Sequence, residues 1–522
     1  MKRREFINKA ALGSIALPLF SPDFNIESKG KSDIKVGFST VDLRDCIISD
    51  TGYRYPLEAK CMVLEEGKLN VLLYALDFGE VHLGFCEDVQ AKIGRTFNIS
   101  SESILLHTTH THSGPWDHGQ GERMIDATKL VELLTQTANN AFSNAKPAKL
   151  KIGEENVGKR LSVHRRGDTN TGMGIQTYWF GYEYNEGDDR PEASALINEM
   201  SSRWMGKLGN YKSCEEKVYF DREVDPWVQV MYFVDLKDKP LGSIVRFSAH
   251  PHQASFFRES MWDPDFPGRT RNYLEKELGG HCLFLQGGSG NLVPKERVKY
   301  QLWDDYKFNE VYLGPLSEFH AIDENELLAD IDRIGKEIAS AAITALQRAH
   351  FTRLNGFRYK FSMFDVPLDP SLPASAEEIE VIRKALTREY YNFLAANGDL
   401  SELRRLANVL NWLDWGAYYA LGLITQTDRI NGFKPAPYSV LRLNETPIVF
   451  MNSEVSVETS LALREQFKTQ KPWIVSLTGG TLSYMPTDKM IDEGGYEGRN
   501  TLIAKGTEPK VRRHITEMLT KS

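Results

Sequence analysis

The sequence predicts an α/β protein, with α+β as the alternative: one large mixed-sheet domain flanked by helices. Three observations lead there. Strand-like apolar runs alternate along the chain with stretches whose apolar residues recur at three and four. Length and composition suit a large buried core, with 522 residues, 41% hydrophobic and 26% charged. Several apolar runs stop abruptly at small and polar residues, which is where α/β enzymes place their working loops.

Taken in order, the chain opens with a targeting segment. Lys2-Arg3-Arg4-Glu5-Phe6 precedes a weakly apolar stretch at 10–20, long enough for a signal peptide and too short to cross a membrane. Paired arginines followed by phenylalanine point to twin-arginine export, with an ordinary secretory signal as the alternative, and so to a periplasmic or secreted protein. No cysteine follows to carry a lipid anchor, and no later segment approaches the ~18 apolar residues of a membrane span. Residues 1–33 are read as signal peptide and polar linker, and 34–522 as one domain.

Within that domain, 34–38 and 71–77 read as strands. Helical spacing is clearest at 125–142, through Leu130, Leu133, Leu134, Ala138 and Ala141, and at 324–350, through Leu327, Leu328, Ile331, Ile334 and Ile338. Residues 160–240, rich in Gly, Asp and Asn, are expected to form long loops over one face. The stretch near 370–427, rich in Ala, Leu, Arg and Glu, reads as a helical insertion. The net charge of −8 is spread without any basic block, which argues against nucleic acid as the main partner. Five cysteines show no metal-type spacing and allow at most two disulfides; buried free thiols are the simpler reading.

Two short histidine pairs carry the chemistry: His110-Thr111-His112 and His250-Pro251-His252, each just after an apolar run. Twelve histidines placed at random in this chain would give roughly a quarter of one such pair, so two mark a design. Residues two apart on a strand share a face, so each pair presents imidazoles toward one point, and imidazole is a ligand for zinc and similar metals. Four segments end an apolar run in residues fit to line a site: 105–115, 245–253, 282–294 and 448–454. The Gly287-Gly288-Ser289-Gly290 run among them lacks the Gly-Lys-Ser/Thr of a phosphate loop.

These segments, in this order, resemble the neutral ceramidases and their relatives, zinc-dependent amidases that cleave the N-acyl bond of ceramide. His110 to Pro115 resembles their His-Thr-His-Ser-Gly-Pro signature, and Ala249-His250-Pro251 their second histidine strand. Gln286 to Pro294, Glu454 with Leu463-Arg464, and Tyr484-Met485-Pro486-Thr487 followed by Tyr496-Glu497-Gly498 match later islands, out to about residue 505. The opening Val36-Gly37, Val41-Asp42 and the run from Pro56 to Leu64 match as well. The resemblance implies zinc held by His110, His250, Glu454 and Tyr484, with His112 as general base or hydrogen-bond partner to an activated water. It makes Arg165 a neighbour of the zinc that stabilises an oxyanion or binds a polar head group; read alone, Arg165-Arg166 is as readily a solvated basic pair.

Two departures stand out. The family's serine in Gly-Asx-x-Ser-Pro is Val293 here, which puts ceramide itself in doubt, and the chain ends soon after Tyr496-Glu497-Gly498, leaving no room for the family's carboxy-terminal β-sandwich. A small amphiphilic or acylated substrate is expected. A metal-dependent ester or phosphoester hydrolase, and a binding protein that keeps the metal without turnover, are the competing readings.

Overall fold

Two sheets lie face to face in a computed structural model of the chain that describes residues 23–28, 33–117, 124–169, 175–177, 192–194, 217–219, 221–256, 261–295, 324–396, 398, 400–414 and 416–520. The larger has nine strands. In spatial order they are His281–Gln286, Pro240–Phe247, Trp227–Asp235, Lys146–Asn156, Lys35–Asp42, Glu58–Glu66, Leu69–Leu76 and Ile104–Thr108, with Thr352–Arg353 added beside Lys146–Asn156. The smaller runs Asp23–Glu27, Phe357–Pro367, Phe433–Leu443, Thr446–Met451 and Trp473–Val475.

The strand sequences explain this layering. Strands such as Glu58–Glu66 and Leu69–Leu76 are buried on both faces and largely apolar, but their alternate residues go to different cores. Met62 and Leu64 join Phe38, Phe233, Leu285, Phe361, Leu441 and Trp473 in the core between the sheets. Cys61 and Val63, one residue out of phase, meet Leu130, Leu134 and Ala138 of the helix Ala127–Asn144. That helix starts where it does because Asp126 accepts hydrogen bonds from the amides of Thr128 and Lys129. Gly37 lets it approach the sheet: a Cβ there would sit 1.9 Å from the Ala141 carbonyl oxygen. Ile331, Ile334 and Ile338 of the helix Glu324–Arg348 cover Val228, Val230 and Val245, and Val511, Ile515 and Met518 of Thr507–Thr520 cover the outer face of the smaller sheet. The order is helices, sheet, sheet, helices.

The nine-stranded sheet is antiparallel except at its edges. Ile104–Thr108 runs parallel to Leu69–Leu76 and is reached through the helix Leu83–Phe97; His281–Gln286 runs parallel to Pro240–Phe247 and is reached through Asp265–Leu278. The sheet curls until these two edges meet. The Gln286 amide donates to Nε2 of His107 at 3.0 Å, so Nδ1 of that ring carries the proton and donates to the Ser476 carbonyl at 3.0 Å. Burial pushes His107 down to about 3, which keeps the ring neutral for this bridging task.

Three sequence expectations are corrected. Asp23–Glu27, inside the stretch read as linker, is a strand paired with Phe357–Pro367; five residues alternating Phe24 and Ile26 with polar neighbours are too short to stand out from their composition. Trp227–Asp235, inside the stretch read as loops, is a central strand of the larger sheet. The histidine pairs lie beyond their strands, which end at Thr108 and Phe247, rather than on them. The helical insertion is present as Ala376–Ala395, Leu400–Asp414, Gly416–Leu423 and Gln426–Asn431, between two strands that are direct neighbours. Cys46, Cys61, Cys86 and Cys282 are buried free thiols, while Cys214 and the proposed signal peptide lie outside the described residues. No described helix is long and apolar enough to cross a membrane.

A candidate metal centre where the sheets meet

Closure of the larger sheet brings the two histidine loops together. After Thr108 the backbone turns through a left-handed conformation at His110, with φ of 65°. Its amide donates to the Phe78 carbonyl at 3.0 Å, and its Nδ1 to the Gly79 carbonyl at 3.0 Å. His250 is held in the same manner, its amide on the Leu292 carbonyl at 2.9 Å and its Nδ1 on the Ser289 carbonyl at 2.7 Å. A carbonyl only accepts, so both Nδ1 atoms carry the proton and both Nε2 atoms present lone pairs. Those two Nε2 atoms face each other at 3.2 Å.

A separate two-stranded sheet beside the smaller one supplies the oxygens. Glu454 lies just past the strand Thr446–Met451, in the short strand Glu454–Val455, paired in parallel with Tyr484–Met485 so that Glu454 and Tyr484 are opposite. Its Oε2 lies 3.3 Å from Nε2 of His110 and 2.9 Å from Nε2 of His250. Ser483, just before Tyr484, is also left-handed, with φ of 65°.

Three atoms with lone pairs and no proton among them repel unless a cation sits between them. Burial opposes ionisation of Glu454, yet the two histidines hold it well below the usual carboxylate range. Burial likewise opposes charge on His110, but Glu454 outweighs it and raises the ring, while burial and then Arg165 push His250 down to about 4. The site therefore draws positive charge, which a proton or a metal ion supplies. The spacing suits a metal: bonds of about 2.0–2.1 Å at tetrahedral angles separate ligand atoms by about 3.3 Å. Buried His110, half-buried His112 and buried His250 form one candidate ligand group, and Glu80, His110 and Glu454 a second.

Arg165 is fully buried, so the solvated basic pair is excluded. Its Nε donates to Glu497 at 2.7 Å, and one Nη to the Gly290 carbonyl at 2.8 Å and to the Tyr484 hydroxyl at 3.0 Å. Arg166 bonds the other oxygen of Glu497 at 2.9 Å, and Tyr496 stacks edge-on against Tyr484 with centroids 5.5 Å apart. The Gly-rich run offers carbonyls, from Ser289 and Gly290, to His250 and Arg165; it is a turn that accepts from N–H donors, not an anion cradle.

His112 is the half-buried member of the histidine group. Its ring centroid is 4.9 Å from that of His110 and 5.0 Å from Trp116, which stacks on Gly79 so closely that a Cβ there would lie 2.1 Å from the indole. Its Nε2 has no hydrogen-bond partner, and burial followed by the neighbouring histidines holds it well below its ordinary value, so it is neutral. His252 is buried, with centroids 5.8 Å from His112 and 5.9 Å from His250. Behind both loops, the Asp263 carbonyl accepts from the Thr111 hydroxyl at 2.7 Å and its amide donates to the Ser113 carbonyl at 2.8 Å, while Asp265 accepts from the Ala254 amide at 2.7 Å. Val293 is fully buried, paired with Val163 and next to Leu292, whose carbonyl receives the His250 amide.

Sequence reasoning missed Glu80 and Tyr419. Glu80 is buried; its Oε1 lies 3.9 Å from Nδ1 of His110, and burial followed by the charge of Glu454 raises it to about 8. The available signal was an acidic residue just past the strand Leu69–Leu76, beside the strand that leads to His110. Tyr419 comes from the helical insertion and donates to Oε2 of Glu80 at 2.6 Å; nothing local in the sequence marks it.

With this geometry in hand, solved structures give the comparison. The chain superposes on neutral ceramidase from Pseudomonas aeruginosa with a TM-score of 0.58 and 15% identity, over 93% of this chain and 74% of that one. A ceramidase complexed with C2 gives 0.58 and 14%, over 93% of this chain and 75% of that one. This is a ceramidase-like fold. No family model matches the chain, and no curated protein matches it in sequence. At such low identity the likeness is one of fold, and the site must speak for the chemistry.

Proposed function

We propose that the chain is an exported, zinc-dependent hydrolase that cleaves the N-acyl amide bond of a small amphiphilic or acylated substrate. The observation that carries this reading is the convergence of Nε2 of His110, Nε2 of His250 and Oε2 of Glu454, with both Nδ1 protons spent on carbonyls. Tyr484 completes the ligand set from the opposite short strand. A zinc ion held there would acidify water and polarise a carbonyl. His112 is the general base: its neutral ring and partnerless Nε2 can take the proton from attacking water and return it to the leaving amine as the C–N bond breaks. Arg165 acts through the tyrosine, fixing its hydroxyl, rather than on the substrate.

Val293 places only methyl groups where a serine hydroxyl would serve the scissile bond, so ceramide is expected to be a poor substrate. The amino-terminal Arg3-Arg4 pair fits export of a folded, metal-loaded protein to the periplasm. The test is elemental analysis of the purified protein, then assay of the zinc-loaded form on N-acyl lipids, acylated amino sugars and aryl esters. About one zinc per chain and turnover confined to amides are expected. Absence of any transition metal would overturn the reading, and turnover of esters alone would replace the amidase assignment.

A further inference from the structure

The helical insertion at 376–431 touches the centre at two places. On one flank Tyr419, on the helix Gly416–Leu423, donates to Oε2 of Glu80 at 2.6 Å. Glu80 is buried beside His110 and Glu454: its other oxygen lies 3.9 Å from His110, and the three form one cluster of potential ligand atoms within 4.8 Å. On the other flank the start of the same helix abuts Asn500, where a Cβ on Gly416 would meet the Asn500 side-chain oxygen at 2.2 Å. The Asn500 carbonyl in turn accepts from the hydroxyl of Ser483 and, at 3.4 Å, from the amide of Tyr484. One eight-residue helix thus spans the carboxylate side and the tyrosine side of the same centre.

Burying two acidic side chains together is costly unless each has a hydrogen-bond partner that fixes it. Glu454 has the two histidines. Glu80 has the Tyr419 hydroxyl, delivered from an element inserted between neighbouring strands of the smaller sheet.

We propose, resting on the zinc reading above, that Tyr419 is a positioning residue of the metal centre. It holds Glu80 against His110 and Glu454, and so makes the insertion part of the working site rather than an ornament on the outer layer. Groups that orient metal ligands from behind set affinity and activity by about 10–100-fold, and Tyr419 acts in this way through Glu80.

The experiment uses the full chain and cobalt(II) alone as probe, reading its dissociation constant by chelator competition and its visible absorption spectrum. Tyr419→Phe is expected to weaken cobalt binding on the order of tenfold or more and to shift the spectrum. It should lower kcat on an amide substrate while leaving KM nearly unchanged. Tyr418→Phe is the control, because that hydroxyl bonds Glu380 inside the insertion at 2.8 Å, away from the centre. A double-mutant cycle with Glu80→Ala guards against a general loosening of the fold: the effect of Tyr419→Phe should vanish once Glu80 is gone. Wild-type affinity and spectrum in Tyr419→Phe would overturn the proposal while leaving the zinc reading intact, as would an effect that persists in the Glu80→Ala background. A wild-type protein that binds no cobalt would overturn both.

Discussion

The two halves of the centre are held by different means. On the nitrogen side, from the larger sheet, each imidazole is aimed by a backbone carbonyl, Gly79 for His110 and Ser289 for His250. On the oxygen side, from the two-stranded pairing of Glu454–Val455 with Tyr484–Met485, Tyr484 is aimed by a chain of side chains: Arg165 on the hydroxyl, Glu497 on Arg165, Arg166 on Glu497. Backbone supports cannot be removed by substitution, whereas side-chain supports can. The nitrogen half should therefore fail only when a ligand itself is changed, and the oxygen half should fail from a distance.

The largest effect tests the nitrogen half directly. On the zinc reading, His110→Ala or His250→Ala is expected to drop bound metal from about one per chain to near zero, with hydrolysis at background, because each removes one of the two Nε2 atoms that converge on Glu454. Metal stoichiometry by mass spectrometry decides it; near-stoichiometric metal in both variants would show that the centre lies elsewhere.

Next comes Arg165→Met, which strikes the oxygen half without touching a ligand. It strips a buried partner from Glu497 and from Tyr484, and breaking a buried ion pair from one side costs about 3–5 kcal/mol. A urea titration should show that loss together with weakened metal binding. Unchanged metal affinity would mean that Tyr484 needs no support and that the contrast between the halves is wrong.

A smaller effect concerns the brace behind the nitrogen half. Burial raises Asp265 from 3.8 to about 7, so the folded protein keeps a proton that the unfolded chain releases near 3.8. Its contribution is complete below about pH 4 and is lost progressively as pH rises from about 4 to about 7. Asp265→Asn, neutral at every pH, should flatten that decline in unfolding midpoints measured from acid to neutral pH. An identical slope in both proteins would assign the dependence to other groups.

The smallest effect is expected at Val293. A hydroxyl donor at a scissile bond is worth about 2.7–4 kcal/mol where it is fully used, but this site is fully buried and a new hydroxyl must first find a partner. Val293→Ser should raise kcat/KM on a short-chain N-acyl sphingosine severalfold with a modest fall in stability. Vigorous wild-type turnover that the variant does not improve would remove the hydroxyl from the account.

How much of this was legible in the sequence follows from range. The helices at Ala127–Asn144 and Glu324–Arg348, and the helical insertion, declare themselves because spacing at three and four is local. The histidine pairs declare themselves by rarity, but not which member of each pair meets the other: that depends on a left-handed turn at His110 and on closure of the sheet edges. Glu454 and Tyr484 are ordinary residues until a parallel two-residue pairing sets them opposite each other, and only the order of islands along the chain pointed to them. Arg165 looked as readily solvated as buried because its partners, Glu497 and Tyr484, lie more than 300 residues on. Glu80 and Tyr419, separated by 339 positions, were invisible for the same reason.

The left-handed backbone at His110 has a consequence for how this molecule can decay. A residue with a Cβ in that conformation costs about 1 kcal/mol that glycine does not. Among variants lacking the imidazole, His110→Gly should therefore unfold later than His110→Ala by about that amount. Loss of the imidazole at this position can thus leave a chain that still folds and persists. Abundance would say nothing of activity here, and a screen for robust expression would pass inactive proteins without complaint.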